Sequence, residues 1–253
     1  MTAATVLETE GLQVSYGDTV ILSQADCSVN EGEITCIVGG SGSGKTTLLK
    51  SLFGLLPVSG GHVRLLGMDL ASLGEAEFNR LLLRMGVLFQ NGALLNSLSV
   101  YENVAVPLEQ HTRLPQNIIA AMVAAKLRLV NMGGTEELYP SQLSGGMRKR
   151  VSLARAIALD PEVLFLDEPS AGLDPENSVA LDRLMVSLRE QLAMTLVVVT
   201  HELESIRRIA DRILFVHAGT VVFEGTLEEA EAADIPALSA FLYPAGGGRQ
   251  SYE

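Results

Sequence analysis

The feature that most limits how this chain can fold is a glycine-rich loop at residues 39–47, which reads Gly-Gly-Ser-Gly-Ser-Gly-Lys-Thr-Thr. The apolar run 34–38 before it predicts a buried strand, and residues 48–52 after it predict the first turns of a helix. In this strand–loop–helix context the spacing G-x-x-x-x-G-K-S/T is typical of a phosphate-binding loop. A flexible Gly/Ser linker is excluded because apolar segments flank the loop on both sides.

The chemistry of this loop predicts a bound nucleoside triphosphate with Mg²⁺. Glycines let backbone N–H groups turn inward around phosphate oxygens, and the following helix N-terminus adds partial positive charge. Lys45 can reach the β- and γ-phosphates, and the Thr46 hydroxyl can bind Mg²⁺. The expected phosphate contacts are Gly39, Gly40, Ser41, Gly42, Ser43, Gly44, Lys45, Thr46 and Thr47.

Composition and charge exclude several classes of protein. The chain has 253 residues, of which 47% are hydrophobic, so it can bury a large core and is expected to form one domain. No apolar run approaches the roughly 18 residues of a membrane-spanning helix, and the N-terminus has no signal-like apolar block. A net charge of −12 argues against a nucleic-acid surface and against direct docking on anionic lipid. We therefore expect a cytosolic protein unless partners hold it elsewhere, with Cys27 and Cys36 as small buried hydrophobes.

The order of strand-like and helix-like segments predicts an α/β fold with a mixed β core. Alternating strand patterns fill residues 5–38, and buried parallel-type strands are predicted at 163–166 and 196–199. We therefore assign an α/β catalytic core to residues 1–90 and 160–225 of a single 1–253 domain.

A helical insertion is predicted between the two parts of the core, at residues 91–159, where apolar residues recur at helical spacing. Within it, Ser99 and Glu102 form a capping box for a helix that is expected to end at Pro107. The remaining residues, 226–253, are expected to form a tail with two short helical pieces.

Polar side chains follow several of the predicted strands, where open α/β sheets bind their ligands. Asp167 follows a buried strand and is expected to organise Mg²⁺, although a solvated turn carboxylate is the simpler alternative. The next residue, Glu168, could polarise a water for attack on the γ-phosphate. His201 is expected to contact the γ-phosphate rather than serve as a surface histidine, and Gln90 offers an amide oxygen to Mg²⁺.

Tyr16 ends a strand pattern shortly before the phosphate loop. An aromatic residue in a strand usually serves packing. Its position upstream of a nucleotide site makes stacking on adenine the expected role.

A second phosphate-binding segment is predicted at Ser144, Gly145 and Gly146, which open a helix. They supply a hydroxyl, two backbone units without side chains and a helix N-terminus, more than an ordinary cap needs. Two phosphate-binding segments so far apart in sequence need not meet within one monomer, and head-to-tail pairing of two chains would let each face the other's nucleotide. The basic run 148–150 after them is expected to be a solvated helix face.

The complete set of motifs resembles the nucleotide-binding subunit of ABC transporters. The resemblance covers nearly the whole chain in a series of ordered motifs. It implies the ABC ATPase fold, in which a RecA-like parallel sheet carries a helical subdomain, and it implies ATP and Mg²⁺ as ligands. The matching residues are Tyr16, 39–47, Gln90, 143–147, 163–168, Asp174 and His201.

This resemblance also implies roles for residues. Two copies would form an ATP sandwich in which residues 144–146 of one copy close on the ATP of the other, with Asp174 as a cross-dimer link. Glu168 would be the general base and His201 the γ-phosphate contact. The Mg²⁺ ligands would be Thr46, Gln90 and Asp167.

The chain departs from the family pattern at two positions. Met147 replaces the usual Gln at the end of the signature segment, and Gly40 stands where Pro is common. Neither change removes a group that contacts phosphate, so ATPase activity is still expected.

Two segments, 88–95 and 99–108, together with Met147, are similar to the ATPases of Mce-associated lipid transporters, the Mla type that moves phospholipid between bacterial membranes. This similarity implies a peripheral subunit on the cytoplasmic face of the inner membrane, held there by an integral permease. An Mce-domain substrate-binding protein and a small accessory subunit would complete the system. The alternatives are the ATPase of an amino-acid or other small-solute importer and a soluble assembly-factor ATPase.

A permease-contact surface is expected just after Gln90, which would sense the Mg²⁺ site. The apolar side chains of Ala93, Leu94, Leu95 and Leu98 would line a groove for a short permease helix, with ordinary core packing as the alternative.

Overall fold

The computed structural model describes residues 4–90 and 92–244. The chain divides into two compact units, the first formed by 1–72 with 199–253 and the second by 73–198. Residue 91, which starts the predicted helical subdomain, and the end of the predicted tail lie outside the described residues. Across the described ranges, no helix combines the length and apolar content that crossing a bilayer would require.

The first unit contains an antiparallel sheet in which β1 is the central strand. Its order is β2-β1-β5-β6, and β3 also pairs with β1. The inward side chains of β1, among them Leu7, Leu12 and Val14, are fully buried, as an alternating pattern with one face on the core predicts. The strands are β1 (Thr5–Tyr16), β2 (Thr19–Leu22), β3 (Cys27–Asn30), β5 (Gly60–Leu65) and β6 (Met68–Asp69).

A parallel strand pair leads into the phosphate loop of the same unit. Strand β4 (Ile34–Val38) is buried at every residue and pairs in parallel with β10 (Arg212–His217), with Cys36 opposite Ile213. This confirms the strand predicted before the loop. Strand β10 continues as an antiparallel pair with β11 (Thr220–Gly225). The helices of this unit are α1 (Lys45–Leu52), α7 (Leu203–Ile209), α8 (Leu227–Ala232) and α9 (Pro236–Leu242).

The second unit contains three further strands in the order β9-β8-β7. Strands β7 (Met85–Leu88) and β8 (Val163–Asp167) run parallel, with Leu88 opposite Leu166. Strand β9 (Thr195–Val199) is buried at every residue, as is β8. Parallel pairing therefore brings the carboxyl ends of β7 and β8 to one edge.

Five α-helices complete the described part of the second unit. They are α2 (Glu75–Leu82), α3 (Val100–His111), α4 (Gln116–Leu129), α5 (Gly145–Ala156) and α6 (Pro175–Leu192). The capping box at the start of α3 is confirmed, because the Glu102 N–H donates to Ser99 Oγ at 3.2 Å and Ser99 N–H donates to Glu102 Oε2 at 2.6 Å.

The predicted end of α3 at Pro107 is wrong, because the helix continues to His111. A proline inside a helix costs about 3 kcal/mol through the lost backbone hydrogen bond and the steric clash of its ring. Here Val104, Ala105 and Leu108 on the same helix are fully buried, and this packing outweighs that cost. The predicted fold class, an α/β fold with a mixed β core, is confirmed.

Candidate functional site

The phosphate loop joins β4 to α1, and its lysine folds back into the loop. Lys45 is only 9% exposed, and its Nζ donates to the carbonyl oxygens of Gly39 at 3.0 Å and Gly40 at 2.8 Å. The ammonium therefore stands inside the ring of backbone that the glycines create. It is a positive charge held ready for phosphate oxygens.

Two loop glycines have structural reasons to be glycine. Gly39 has φ +146°, and a Cβ there would lie 2.2 Å from the Val216 carbonyl oxygen. Gly44 caps α1 in the left-handed region with φ +107°, where a Cβ would lie 2.7 Å from Leu22 Cδ2. Any larger residue at these positions would push the loop away from the strands beneath it.

The start of α1 has features that suit an anion. No side chain caps α1, and no acidic residue lies in its first turn. Ser43 Oγ is buried and has no hydrogen-bond partner among residues 4–90 and 92–244. A buried hydroxyl without a partner is costly unless a ligand satisfies it, so this orphaned group fits a phosphate oxygen. Thr46 and Thr47 lie half-buried in the first turn of α1, whereas Ser41 and Gly42 are exposed.

Two other predicted residues lie in the same unit as the loop. Tyr16 ends β1 with 53% of its surface exposed, so its ring does not serve the core. His201 follows Thr200, whose N–H donates to the Ile37 carbonyl at 3.3 Å, next to the point where β4 enters the loop. His201 is itself exposed. Stacking of Tyr16 on adenine and the γ-phosphate contact of His201 stay predictions.

The candidate catalytic carboxylates lie in the second unit, at the end of β8. Asp167 is the last residue of that strand and is buried. Glu168 follows with φ +49°, a left-handed conformation that costs a non-glycine residue about 1–2 kcal/mol. Such strain persists only where surrounding contacts hold the backbone, and active sites are one place where it clusters.

The end of β7 carries Gln90, which is exposed. Its carbonyl oxygen and that of Glu168 both accept hydrogen bonds from Lys149 Nζ, the second at 3.4 Å. The structure therefore brings Gln90 and Glu168 together, as expected for residues at the ends of neighbouring parallel strands.

The predicted solvated helix face at residues 148–150 is wrong for Lys149, which the sequence did not indicate as a site residue. Arg148 is exposed, but Lys149 is only 7% exposed. Burial lowers the pKa of Lys149, and the nearby charges of Glu168 and Asp167 oppose that shift. Helical spacing was the available signal, since Gly146, Lys149 and Leu153 fall on one buried face of α5.

The signature segment lies at the start of α5. Ser144 is the N-cap, and its Oγ accepts the Met147 N–H at 3.2 Å. Ser144 and Gly145 are exposed, but Gly146 is buried, and a Cβ there would lie 3.0 Å from Asn177 Oδ1. The segment is thus a helix cap that leaves its hydroxyl-bearing residue open to solvent, and Gly146 has a packing reason to be glycine.

Asp174 lies beside this segment, because Asn177, which packs against Gly146, also forms hydrogen bonds with Asp174. It caps α6, accepting the Asn177 N–H at 3.0 Å on Oδ1 and the Asn177 side-chain amide at 2.6 Å on Oδ2. These two hydrogen bonds hold the pKa of Asp174 below its usual value. The carboxylate is therefore ionised and exposed at neutral pH, next to the N-terminus of α5.

The ABC transporter family matches residues 22–171 of this chain. A relative from Haemophilus influenzae, the intermembrane phospholipid transport system ATP-binding protein MlaF, is 42% identical over 224 residues, which are 88% of this chain and 85% of the relative. The probable ribonucleotide transport ATP-binding protein mkl of Mycobacterium leprae is 36% identical over 242 residues, covering 96% and 70% of the two chains.

A solved structure adds a dimer to this comparison. The ATP-binding cassette MJ0796, determined as a dimer in a post-hydrolysis state with ADP and Pi, superimposes with a TM-score of 0.80 at 28% identity, covering 87% of this chain and 98% of that chain. The phosphate loop, the signature segment and the residues at the ends of β7 and β8 all lie within the matched range 22–171. The chain belongs to the ABC transporter family and is one of its ATP-hydrolysing subunits.

Proposed function

We propose that this chain powers the movement of phospholipid through an integral membrane permease, using ATP bound with Mg²⁺ between two copies of itself. The proposed cargo rests on the 42% identity to MlaF of Haemophilus influenzae, which is described as part of an intermembrane phospholipid transport system. The mkl relative is described as a probable ribonucleotide transport ATP-binding protein, so ribonucleotide is the second candidate cargo.

The proposed ATP site rests on the geometry of the phosphate loop. Lys45 is held inside the loop, and the buried Ser43 hydroxyl has no protein partner in the described residues. Both groups fit the oxygens of a triphosphate. The proposed Mg²⁺ ligands are Thr46, Gln90 and Asp167, a hydroxyl, an amide and a carboxylate of the kind that Mg²⁺ prefers alongside phosphate. When bound, Mg²⁺ would neutralise charge on the phosphates.

In the proposed reaction Glu168 is the general base for the attacking water and His201 contacts the γ-phosphate. The strained backbone of Glu168 supports this role, because it holds the residue in one conformation at the end of a buried strand. We expect Glu168→Gln to retain ATP binding and to lower turnover by about 100-fold or more, since general-base assistance contributes that much. Turnover at the wild-type rate would remove Glu168 from this role.

The proposed dimer is head-to-tail, with residues 144–146 of each copy facing the ATP of the other. The exposure of Ser144 and Gly145 in the single chain and the dimeric state of MJ0796 support this arrangement. Asp174, exposed beside the same segment, is the proposed cross-dimer link. A site completed by a second copy would also explain why the cap hydroxyl of Ser144 remains open to solvent.

The proposed permease contact begins at Ala93, Leu94, Leu95 and Leu98. Core packing does not explain this cluster, because Ala93 and Leu95 are exposed and Leu95 has 47% of its surface open. The segment adjoins a groove of about 710 Å³ lined by Leu82, Val106, Pro107 and Arg155, among others. Arg155 joins the two, since it lines the groove and donates to the Ala93 carbonyl at 2.8 Å.

This groove fits a short amphipathic helix from the cytoplasmic side of a permease. Its apolar walls would take the apolar face of that helix, and Arg80, His111 and Arg155 would take acidic side chains. The chain itself is strongly acidic, which disfavours direct binding to anionic lipid. We therefore place it at the cytoplasmic face of the inner membrane, held by the permease, with an Mce-domain protein and a small accessory subunit as further partners.

The cargo is tested with the chain purified in complex with its permease and placed in vesicles. Fluorescent phospholipid transfer should require ATP and should disappear in the Glu168→Gln complex. ATP-driven movement of labelled ribonucleotide, without phospholipid transfer, would replace the first cargo with the second. Movement of neither, with ATPase activity that stays independent of the permease, would contradict transport altogether.

The docking surface is tested with Leu95→Glu. A charge in the apolar contact should release the chain from membranes that contain the permease and leave ATP binding intact. Val20→Glu is the matched control, since Val20 is an apolar side chain with 60% exposure in the first unit. Membrane binding that survives Leu95→Glu would place the permease contact elsewhere.

A further inference from the structure

Helix α5 holds the backbone of the segment that follows β7. Lys149 Nζ contacts the Gln90 carbonyl, and the Arg155 guanidinium donates to the carbonyls of Gly92 at 2.9 Å and Ala93 at 2.8 Å. The two basic side chains lie on one helix, less than two turns apart. All three acceptors are main-chain oxygens, so these contacts fix the path of the segment whatever its side chains are.

The segment is shaped to lie against α5. Gly92 and Ala93 both have left-handed backbones, with φ +71° and +48°. A Cβ at Gly92 would lie 2.6 Å from Ser152 Oγ, on the same helix as the two basic residues. The close approach and the turned carbonyls show that α5 and this segment form one packed element.

Lys149 also reaches the other strand end. Its Nζ donates to the Glu168 carbonyl at 3.4 Å, and Glu168 has the left-handed backbone that needs support. An ammonium has three N–H donors, so one buried side chain can hold carbonyls from two segments at once. Lys149 thus links the ends of β7 and β8 to the helix that begins at the signature Ser144.

An uncharged side chain of similar volume could fill the space that Lys149 occupies. Burying an ammonium carries a desolvation cost, and replacing a buried ion by an apolar residue of similar volume is often neutral or stabilising. Methionine would fill most of the same volume without the three donors. The hydrogen bonds to two carbonyls are therefore the property of Lys149 that an apolar residue cannot supply.

We propose that Lys149 is a positioning residue for ATP hydrolysis: it transmits the position of the signature helix to the backbones of Gln90 and Glu168. Arg155 supports it by fixing the continuation of the Gln90 segment. This inference rests on the proposed roles of Gln90 and Glu168. When the nucleotide of the other copy engages the N-terminus of α5, the backbones of Glu168 and Gln90 in this copy are positioned with that helix. Hydrolysis at one site is therefore linked to engagement of the signature segment at the other.

The first test is Lys149→Met in the full chain. Because a misplacement of about 1 Å can cost roughly 100-fold in rate, we expect kcat to fall by about 10- to 100-fold while the KM for ATP stays within about threefold. Lys149→Arg, which keeps a cation with several N–H donors, should recover most of the lost rate. An unchanged kcat, or a loss confined to KM, would overturn the proposal.

Lys126→Met is the matched control. Lys126 is another buried lysine of the second unit, but it pairs with the exposed Asp160 rather than with carbonyls at the strand ends. Its kcat should stay at the wild-type value. An equal loss of kcat in both variants would mean that any buried lysine of this unit matters, and the positioning role would be overturned.

Two further variants test the positioning role independently of Lys149→Met alone. If Lys149→Met fails to fold, Arg155→Met takes its place, and it should lower kcat with KM retained and increase hydrogen exchange of the amides in residues 92–95. Wild-type kcat and exchange in that variant would contradict the proposal.

Adding Lys149→Met to Glu168→Gln should lower turnover by less than Lys149→Met lowers it in the wild type, because both changes act on one group. Full additivity would separate Lys149 from Glu168.

The same variants distinguish failure of the positioning role of Lys149 from failure of the general-base role of Glu168. If Glu168→Gln alone leaves turnover unchanged, the general-base assignment fails, whatever Lys149→Met does. If Glu168→Gln lowers turnover and Lys149→Met does not, only the positioning role fails.

Discussion

The two phosphate-binding segments of this chain are built in opposite ways. The phosphate loop is closed on itself, with Lys45 bonded to two carbonyls of its own loop and Gly39 packed on the Val216 backbone. The signature segment is open, and Ser144 and Gly145 face solvent with one hydroxyl contact within their own helix. The first segment is ready for ligand in a single chain, whereas the second has its groups pointed outward.

This difference indicates what each segment needs to work. A preorganised loop binds with little loss of conformational freedom, so most of the affinity for ATP should come from the first unit alone. An exposed helix N-terminus offers little until another body excludes water from it. Four experiments break or sharpen this contrast.

The largest effect is expected from Lys45→Ala. Removing the cation that meets buried phosphate oxygens should cost about 3 kcal/mol, which is roughly 100-fold in ATP affinity. Lys50→Ala is the matched control, because Lys50 lies in the last turn of the same helix, away from the loop. Isothermal titration of both variants measures the difference. Equal affinities would mean that the closed loop is not the main ATP contact.

The next experiment asks whether the open segment acts across a dimer. A heterodimer of one Lys45→Ala chain and one Ser144→Arg chain should keep one intact site, because the two unaltered segments then face each other. Placing both changes in one chain and pairing it with wild type should spoil both sites. ATP turnover per dimer is the measurement, because each heterodimer keeps one intact phosphate loop and binding alone would not distinguish them. The reverse pattern would argue for a site built within one chain, and equal turnover would remove Ser144 from the site.

A smaller effect separates the two roles of Ser144. Ser144→Ala removes the N-cap of α5 and should lower stability by about 1 kcal/mol, or roughly 2–4 °C in Tm. Thr226→Ala removes the same kind of cap from α8, where Thr226 Oγ1 accepts the Glu229 N–H at 3.2 Å. Both variants should lose stability, but only Ser144→Ala should also lose ATP turnover. Retained turnover in Ser144→Ala would reduce the segment to an ordinary helix cap.

The smallest effect concerns the first unit without nucleotide. Burial raises the pKa of the Cys27 thiol from 9.0 to about 12. Since the thiolate is the reactive form, only about one molecule in ten thousand is ionised there at pH 8. Because the folded pKa is raised, this thiol favours the folded state below pH 9 and loses that contribution as pH rises from 9 to about 12.

If the first unit is preorganised, native Cys27 and Cys36 should resist a thiol reagent equally with and without ATP, since both are buried. Labelling in denaturant provides the control for full reactivity. Rapid labelling that ATP suppresses would show that the unit closes only on ligand, which would erase the contrast with the signature segment.

Local features of this protein could be predicted from sequence because their causes lie within a few residues. The phosphate loop needs glycine at fixed spacing between a strand and a helix. The caps at Ser99, Ser144 and Asp174 are each made to an N–H three residues onward. Asp167 and Glu168 could be placed at a strand end because the apolar run before them stops there.

The tertiary structure decided the features whose causes lie far apart in sequence. Helix α3 continues past Pro107 because other elements bury its apolar face. Lys149 looks solvated within a basic run, but it is buried because the ends of β7 and β8 bring two carbonyls to it. Hydrogen bonds and helix periodicity act over a few residues and are visible in sequence. The burial of a charge depends on which distant backbone lies opposite, and only the folded chain specifies that.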